Sequence, residues 1–295
     1  MYNFQVFKIK RNTVRKPSQM KSTMKYQKLS TIQLEDLPIE VLLNVLNFLE
    51  LPDINRFGQV SKRLKSASLV DSLWQEITLI NKTMSNNLVE KALDRGCKTL
   101  CLKSCRLTEA SHLLSTFDKS GIKEDKKPIS SQLINLDLYN CDFMHGFLET
   151  LLLSSHSLKT FSLTDYNISR FSKSVLRMFY IQNGQTLQTL NLAFTRVVSI
   201  EHIELIVKHC TGLREVDFSD CCLSSLSVNF LVEGITKNIE KFGLAYCGLG
   251  RTAIDHYINI LVSRCNKIKS LNIALNSITD ETLTSIMENL KTTLE

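Results

Sequence analysis

Apolar and polar residues along most of this chain follow one short rule. In Leu133–Phe143, LINLDLYNCDF, apolar side chains fall at offsets 0, 3, 5 and 10, with a small polarizable residue, Cys141, at offset 8. The spacing recurs at Cys97-Leu100-Leu102-Cys105-Leu107, Leu158-Phe161-Leu163-Tyr166-Ile168 and Leu187-Leu190-Leu192-Thr195-Val197. It recurs again at Leu213-Val216-Phe218-Cys221-Leu223, Ile239-Phe242-Leu244-Cys247-Leu249 and Ile268-Leu271-Ile273-Asn276-Ile278. Alternation around offsets 3 to 5 predicts a short strand with one buried face. Between the strands lie stretches of helical period, such as Phe147, Leu148, Leu151 and Leu152, or Ile254, Ile258, Leu261 and Val262.

The first positions, 97, 133, 158, 187, 213, 239 and 268, are separated by 36, 25, 29, 26, 26 and 29 residues. The pattern L-x-x-L-x-L-x-x-N/C-x-L is the leucine-rich-repeat signature. The expected fold is therefore α/β: a leucine-rich-repeat solenoid of about seven repeats over 77–295, with short parallel strands on the concave face and helices outside. One repeat cannot bury its own apolar faces, so neighbours must stack. The long first interval implies an insertion near 118–130, polar, charged and broken by Gly121 and Pro128. It reads as an exposed loop, either a tolerated elaboration or a binding element. At the other end a helical pattern runs through Leu283, Ile286 and Leu290, and Leu294 stands where another template would begin. Polar residues such as Glu281, Glu288 and Lys291 could close the solenoid; a longer parent chain is the alternative.

Upstream, over 34–76, the period is helical throughout. Pro38 stands just inside a helix start, followed by Ile39, Leu42, Leu43, Val45, Leu46 and Leu49. Leu51-Pro52 breaks that helix, Asp53 is placed to cap a second with Ile54, Phe57 and Val60, and Ser61 opens a third. A last turn holds Leu73 and Trp74, the only tryptophan. So few residues make a marginal bundle, better stabilised by a partner or by the domain that follows.

This segment resembles the F-box, on Leu37-Pro38-Ile39-Glu40-Val41-Leu42, Asp53-Ile54, Val60-Ser61-Lys62-Arg63-Leu64 and Leu73-Trp74. Leu64 departs from the pattern, where the family most often has Trp. Together the halves resemble the F-box/leucine-rich-repeat family, over about residues 34–290. The resemblance implies a substrate-recruiting subunit of a ubiquitin ligase. Leu37, Pro38, Glu40, Leu42, Ile54 and Val60 would lie near the Skp adaptor of a cullin–RING ligase, and the repeats would hold a protein substrate. The alternative is a repeat scaffold whose helical start is only a cap.

Charge and chemistry narrow this further. The net charge is +7, but residues 1–30 carry eight bases and no acid, which leaves the remainder near −1. Basicity thus belongs to a tail over 1–33, read as a disordered solvated segment, a nuclear-import signal or a mitochondrial presequence. A groove for nucleic acid is not expected, nor is a membrane span, since no apolar run is long enough. Most of the nine cysteines fall at repeat turns, as small buried thiols of a reducing compartment, cytoplasm or nucleus. Cys97 and Cys105 point inward and Cys101 outward, so their spacing does not make a metal site. No phosphate-binding glycine motif and no nucleophile–base pair is present, so no cofactor and no catalytic residue are expected.

The outward strand positions are then the candidate binding surface. They read Cys101/Lys103, Asp137/Tyr139, Ser162/Thr164, Asn191/Ala193, Asp217/Ser219, Gly243/Ala245 and Asn272/Ala274, with Asn140, Asp165, Phe194, Asp220 and Tyr246 in the flanking turns. Asp137, Tyr139, Asn140, Asp165, Phe194, Asp217, Asp220 and Tyr246 are the expected substrate contacts: aromatic anchors among acids suit a basic partner. An Asp here could equally do no more than solvate a strand edge.

Overall fold

The structure, a computed structural model, describes residues 33–108, 131–143, 146–195 and 198–295. The expected tail, apart from Gln33, the insertion near 118–130 and Val197 lie outside the described residues. Residues up to Leu37 form a unit distinct from Pro38–Glu295. In the first, Leu34–Asp36 makes one 3-10 turn, whose Asp36 carboxylate accepts from the Gln33 amide at 3.0 Å.

The second unit begins with three short helices, α1 (Ile39–Leu46), α2 (Leu51–Phe57) and α3 (Lys62–Ser68). Pro38 caps α1 instead of lying inside it. Leu51-Pro52 does not separate two helices; it forms the first turn of α2, where a missing N–H is harmless, and Asp53 lies inside that turn. Ser61 does cap α3, its hydroxyl accepting from the Leu64 amide at 3.3 Å. Leu42, Leu46, Ile54, Leu64 and Ala67 close the core of this small bundle.

Then follows a parallel sheet of eight strands in the order β1-β3-β5-β6-β7-β8-β9-β10, flanked by a two-stranded pair β2-β4. Its members are β1 (Glu76–Ile80), β3 (Thr99–Lys103), β5 (Asn135–Tyr139), β6 (Thr160–Thr164), β7 (Thr189–Asn191), β8 (Glu215–Asp217), β9 (Lys241–Gly243) and β10 (Ser270–Asn272). The pair is β2 (Thr83–Met84) and β4 (Arg106–Leu107). Helices α4 (Asn86–Asp94), α5 (Phe147–Ser154), α6 (Lys173–Asn183), α7 (Ile200–His209), α8 (Ser225–Gly234), α9 (Arg251–Arg264) and α10 (Asp280–Leu290) connect successive strands or end the chain. A strand–helix alternation with every neighbour parallel and in register, Leu100 beside Leu136 and Leu136 beside Phe161, is a leucine-rich-repeat solenoid.

The template also runs one repeat earlier than its pattern in the sequence advertised. Trp74, Ile77, Leu79 and Met84 sit at offsets 0, 3, 5 and 10 and are buried, and β1 pairs with β3. Lys82 occupies offset 8, where no small donor marks the turn.

Offset 8 has a definite task. The Sγ of Cys105, Cys141, Cys221 and Cys247 each donates to the carbonyl at offset 5 of the preceding repeat, Leu79, Leu102, Leu192 and Phe218, at 3.4, 3.2, 3.0 and 3.4 Å. Thr195 Oγ1 and Asn276 Nδ2 do the same to Leu163 and Leu244 at 3.2 and 2.7 Å. The position therefore demands a short donor to satisfy a carbonyl where the chain leaves the sheet. Tyr166 takes it in one repeat and packs against Phe143 and Phe171. Helices open on Ser85, Ser172, Ser199, Ser224 and Thr279, whose hydroxyls accept from first-turn amides.

Candidate protein-binding surfaces

Helix α1 is apolar on two sides. Leu42 and Leu46 face the bundle, fully buried, while Val41, Val45 and, just past the helix end, Phe48 recur at i, i+4 and i+7 on the opposite side. Their exposures are 42%, 41% and 89%. A helix apolar all round normally lies inside a larger body. Of the residues expected near an adaptor, Pro38, Glu40 and Val60 are exposed and Leu37 is half-buried. Leu42 and Ile54 are buried, and their role is to hold the bundle together. The periodic set in the sequence mixes the two sides: Leu42 and Leu46 are buried, Ile39 and Val45 are exposed, and Val41 and Phe48 of the outward stripe are not in it.

On the repeats, each chain turns out of its strand through a residue with positive φ at offset 7. The series is Asn81, Ser104, Asn140, Asp165, Phe194, Asp220, Tyr246 and Leu275, with φ between 45° and 59°. Each amide from Asn81 to Tyr246 donates to the next repeat, for example Asn140 to Thr164 O at 3.0 Å and Tyr246 to Ala274 O at 3.0 Å. Asn and Asp tolerate this conformation; for Phe, Tyr and Leu it is a steric penalty. Yet Phe194, Tyr246 and Leu275 hold it with side chains 51%, 60% and 81% exposed. Five of the expected substrate contacts, Asn140, Asp165, Phe194, Asp220 and Tyr246, thus align on one edge. Strand spacing places adjacent members roughly 4.8 Å apart. Tyr139 is exposed at the end of β5 beside this edge. Asn140 and Asp165 line a polar cleft of about 660 Å³ with Arg106, Asp142 and Tyr166.

Asp137 and Asp217 lie on the strand face and are committed elsewhere. Asp137 receives the Cys101 thiol at 3.4 Å and stands 3.9 Å from Lys103. Asp217 Oδ1 accepts from the Ser219 amide at 2.8 Å, the bond that Asn191 and Asn272 make to Ala193 and Ala274 at 2.9 and 3.3 Å. These are strand-end caps. Gly243 has no side chain to do this, and Ser219 Oγ accepts from the Ala245 amide instead at 3.1 Å. Ser162, Thr164, Ala193, Ser219, Gly243 and Ala245 are not open to solvent, since all are buried, although Ser162 and Gly243 share the register of Asp137 and Asp217 on the strand face. From β7 onward the strands are three residues long, so offset 6 already lies in the turn; Ala193, Ser219 and Ala245 are buried there, whereas Ala274 in the last repeat is exposed.

Several of the thiols are held in the protonated form by their surroundings. Burial pushes Cys97, Cys210 and Cys221 up to about 12, and burial first, then the Asp137 charge, pushes Cys101 to about 11. Among the described residues no group of three or more His, Cys, Asp or Glu could hold a metal ion. None of the described helices is long and apolar enough to cross a membrane.

Residues 34–80 match the F-box-like family model, a span running from the helical segment through β1. Among solved structures, the tropomodulin C-terminal domain of Caenorhabditis elegans aligns at 16% identity and a TM-score of 0.38, covering 46% of this chain and 84% of that one. An internalin from Listeria monocytogenes aligns at 10% identity and a TM-score of 0.45, covering 77% of this chain and 62% of that one. The chain thus joins an F-box-like segment to a leucine-rich-repeat solenoid.

Proposed function

We propose that this F-box/leucine-rich-repeat protein is the substrate-recognition subunit of a Skp adaptor–cullin–RING ubiquitin ligase. The observation that carries the reading is the exposed stripe Val41, Val45 and Phe48, on a segment that matches the F-box-like model. Such a stripe suits a helical adaptor that buries it. The partner at the other end is a protein substrate on the positive-φ edge, held by Phe194, Tyr246 and Tyr139, with Asp165 and Asp220 favouring basic residues. No residue of this chain performs chemistry in this reading. Ubiquitin transfer is accelerated by holding a substrate lysine near the charged enzyme, an effect of proximity alone. The protein would act in the cytoplasm or the nucleus, with neither nucleic acid nor membrane as its target.

Co-expression of the full chain with the adaptor tests this. The complex co-purifies, Val45→Glu/Phe48→Glu abolishes it without lowering the melting temperature, and Leu42→Ala lowers stability by about 2–5 kcal/mol. A chain that melts as a folded protein but never retains the adaptor is instead a repeat scaffold with a helical cap.

A further inference from the structure

A cleft of about 760 Å³ opens where α2 and α3 meet α4 of the first repeat. Two helices face each other across it with paired cations. α3 contributes Lys62 and Lys65, one turn apart, and opposite them stand Lys91 of α4 and Arg95, which caps its C-terminus. No carboxylate lines it among the described residues. Arg95 is already engaged: it lies 5.5 Å from the centroid of the Trp74 ring, donates to Leu69 O, and stands 3.4 Å from Asp71. Lys91 Nζ donates to the neutral Asn55 Oδ1 at 3.4 Å. Neither Lys62, Lys65 nor Lys91 has a described carboxylate within 4.0 Å. Some cations of the repeats are paired with carboxylates, as Lys241–Glu215 at 2.9 Å and Lys269–Glu240 at 2.8 Å.

Like charges on the two helices repel, and Lys62, Lys65 and Lys91 are all exposed, so an anion reaches them freely. Fixed helices keep them there, and the energy is recovered when an anion enters between them. We infer that this cleft is a binding site for a compact oligophosphate that bridges α3 to α4. Several ammonium groups on two sides match several phosphates on one small body; an extended acidic peptide would engage one helix row and leave the other. The ligand would tie the F-box-like bundle to the first repeat, and so fix the direction in which the solenoid projects.

The test is calorimetric titration of the full-length protein with inorganic tripolyphosphate, alongside a poly-glutamate peptide and sulfate at matched ionic strength. The basic residues before position 30 are present in every sample, so their contribution cancels between variants. Tripolyphosphate binds the unsubstituted protein and raises its melting temperature, whereas Lys62→Glu/Lys65→Glu/Lys91→Glu weakens binding by at least about tenfold. Lys62→Ala/Lys65→Ala/Lys91→Ala, which only removes charge, weakens it less and keeps the fold should the reversal disturb it. Equal binding by all three proteins, no binding by any, or a poly-glutamate peptide that outcompetes tripolyphosphate overturns the inference.

Discussion

The indole Nε1–H of Trp74 donates to the backbone carbonyl of Ser68 at 2.8 Å, so the first core residue of the solenoid is bonded to the last residue of α3. Trp74 is 1% exposed, at once the close of the helical segment and offset 0 of the first repeat. The two parts therefore share a residue instead of meeting at a linker. Arg95 of the first repeat reinforces the joint by donating to Leu69 O. Trp74→Ala should cost about 3–5 kcal/mol, since a large buried ring is removed and no neighbour can collapse into its place. Trp74→Phe should cost less, but still leave the Ser68 carbonyl unpaired, for a loss on the order of 1–3 kcal/mol beyond the volume change. Urea denaturation monitored by circular dichroism distinguishes these values. A loss under 1 kcal/mol for the Ala variant, on the order of a surface substitution, would mean that Trp74 does not hold the joint.

Bulky residues in the left-handed region separate stability from recognition. Phe194, Tyr246 and Leu275 each take a conformation that costs of order 1–3 kcal/mol in a residue of their type. Asn occupies the equivalent place at Asn81 and Asn140. Phe194→Asn and Tyr246→Asn are expected to leave the melting temperature unchanged or raise it, because only exposed surface is lost and backbone strain is relieved. The same substitutions should weaken substrate capture by about 2 kcal/mol or more, as removal of an aromatic anchor does. Loss of stability in both variants would make these rings structural and remove them from the binding surface.

Much of this was legible in the chain. The template predicted most of the buried residues, because a repeat that stacks has one register available to it; Cys141, expected as a buried thiol, and Tyr166, Leu249, Leu271, Ile273 and Ile278 stay half-buried. It did not reveal the first repeat, where Trp74 replaces an aliphatic residue and Lys82 replaces the short donor at offset 8. Nor did it predict the occupation of Asp217 as a strand-end cap, since that depends on the backbone two residues ahead. The inward positions follow from periodicity alone. Which outward positions are committed to capping is decided by hydrogen bonds that only three dimensions show.

Gly243 illustrates the point and can be tested. A Cβ at this position would lie 2.2 Å from Asp217 Oδ1, which is itself held by the Ser219 amide. Gly243→Ala should thus force the carboxylate off its donor and cost about 1–3 kcal/mol. Asp217→Ala should cost about 1 kcal/mol through the lost cap. In Asp217→Ala/Gly243→Ala the collision is gone, so the double variant should be more stable than the sum of the two single losses predicts. Strict additivity in chemical denaturation would mean that the two residues do not interact.

The buried pair Tyr180–His202 makes the solenoid sensitive to mild acid. Tyr180 Oη and His202 Nε2 are 2.7 Å apart, both residues are buried, and His202 Nδ1 has no hydrogen-bond partner. Burial raises the Tyr180 hydroxyl well above its ordinary range, so the phenol keeps its proton and stays neutral in its hydrogen bond with the ring nitrogen. Burial also lowers His202 from 6.5 to about 4, since an imidazolium here would be desolvated and uncompensated. The unfolded chain takes up a proton near pH 6.5 while the folded one does not until about pH 4. The unfolded state binds more protons within that window, so this pair's stabilising contribution is full above pH 6.5 and falls as the pH drops towards 4. The shift corresponds to roughly 3 kcal/mol over the whole interval. His202→Gln should be less stable at pH 7.5 yet lose less between pH 7 and pH 4.5 than the unsubstituted protein. The comparison of urea midpoints across that range carries the test: parallel curves for the two proteins would show that His202 stays exposed to protons in the folded state.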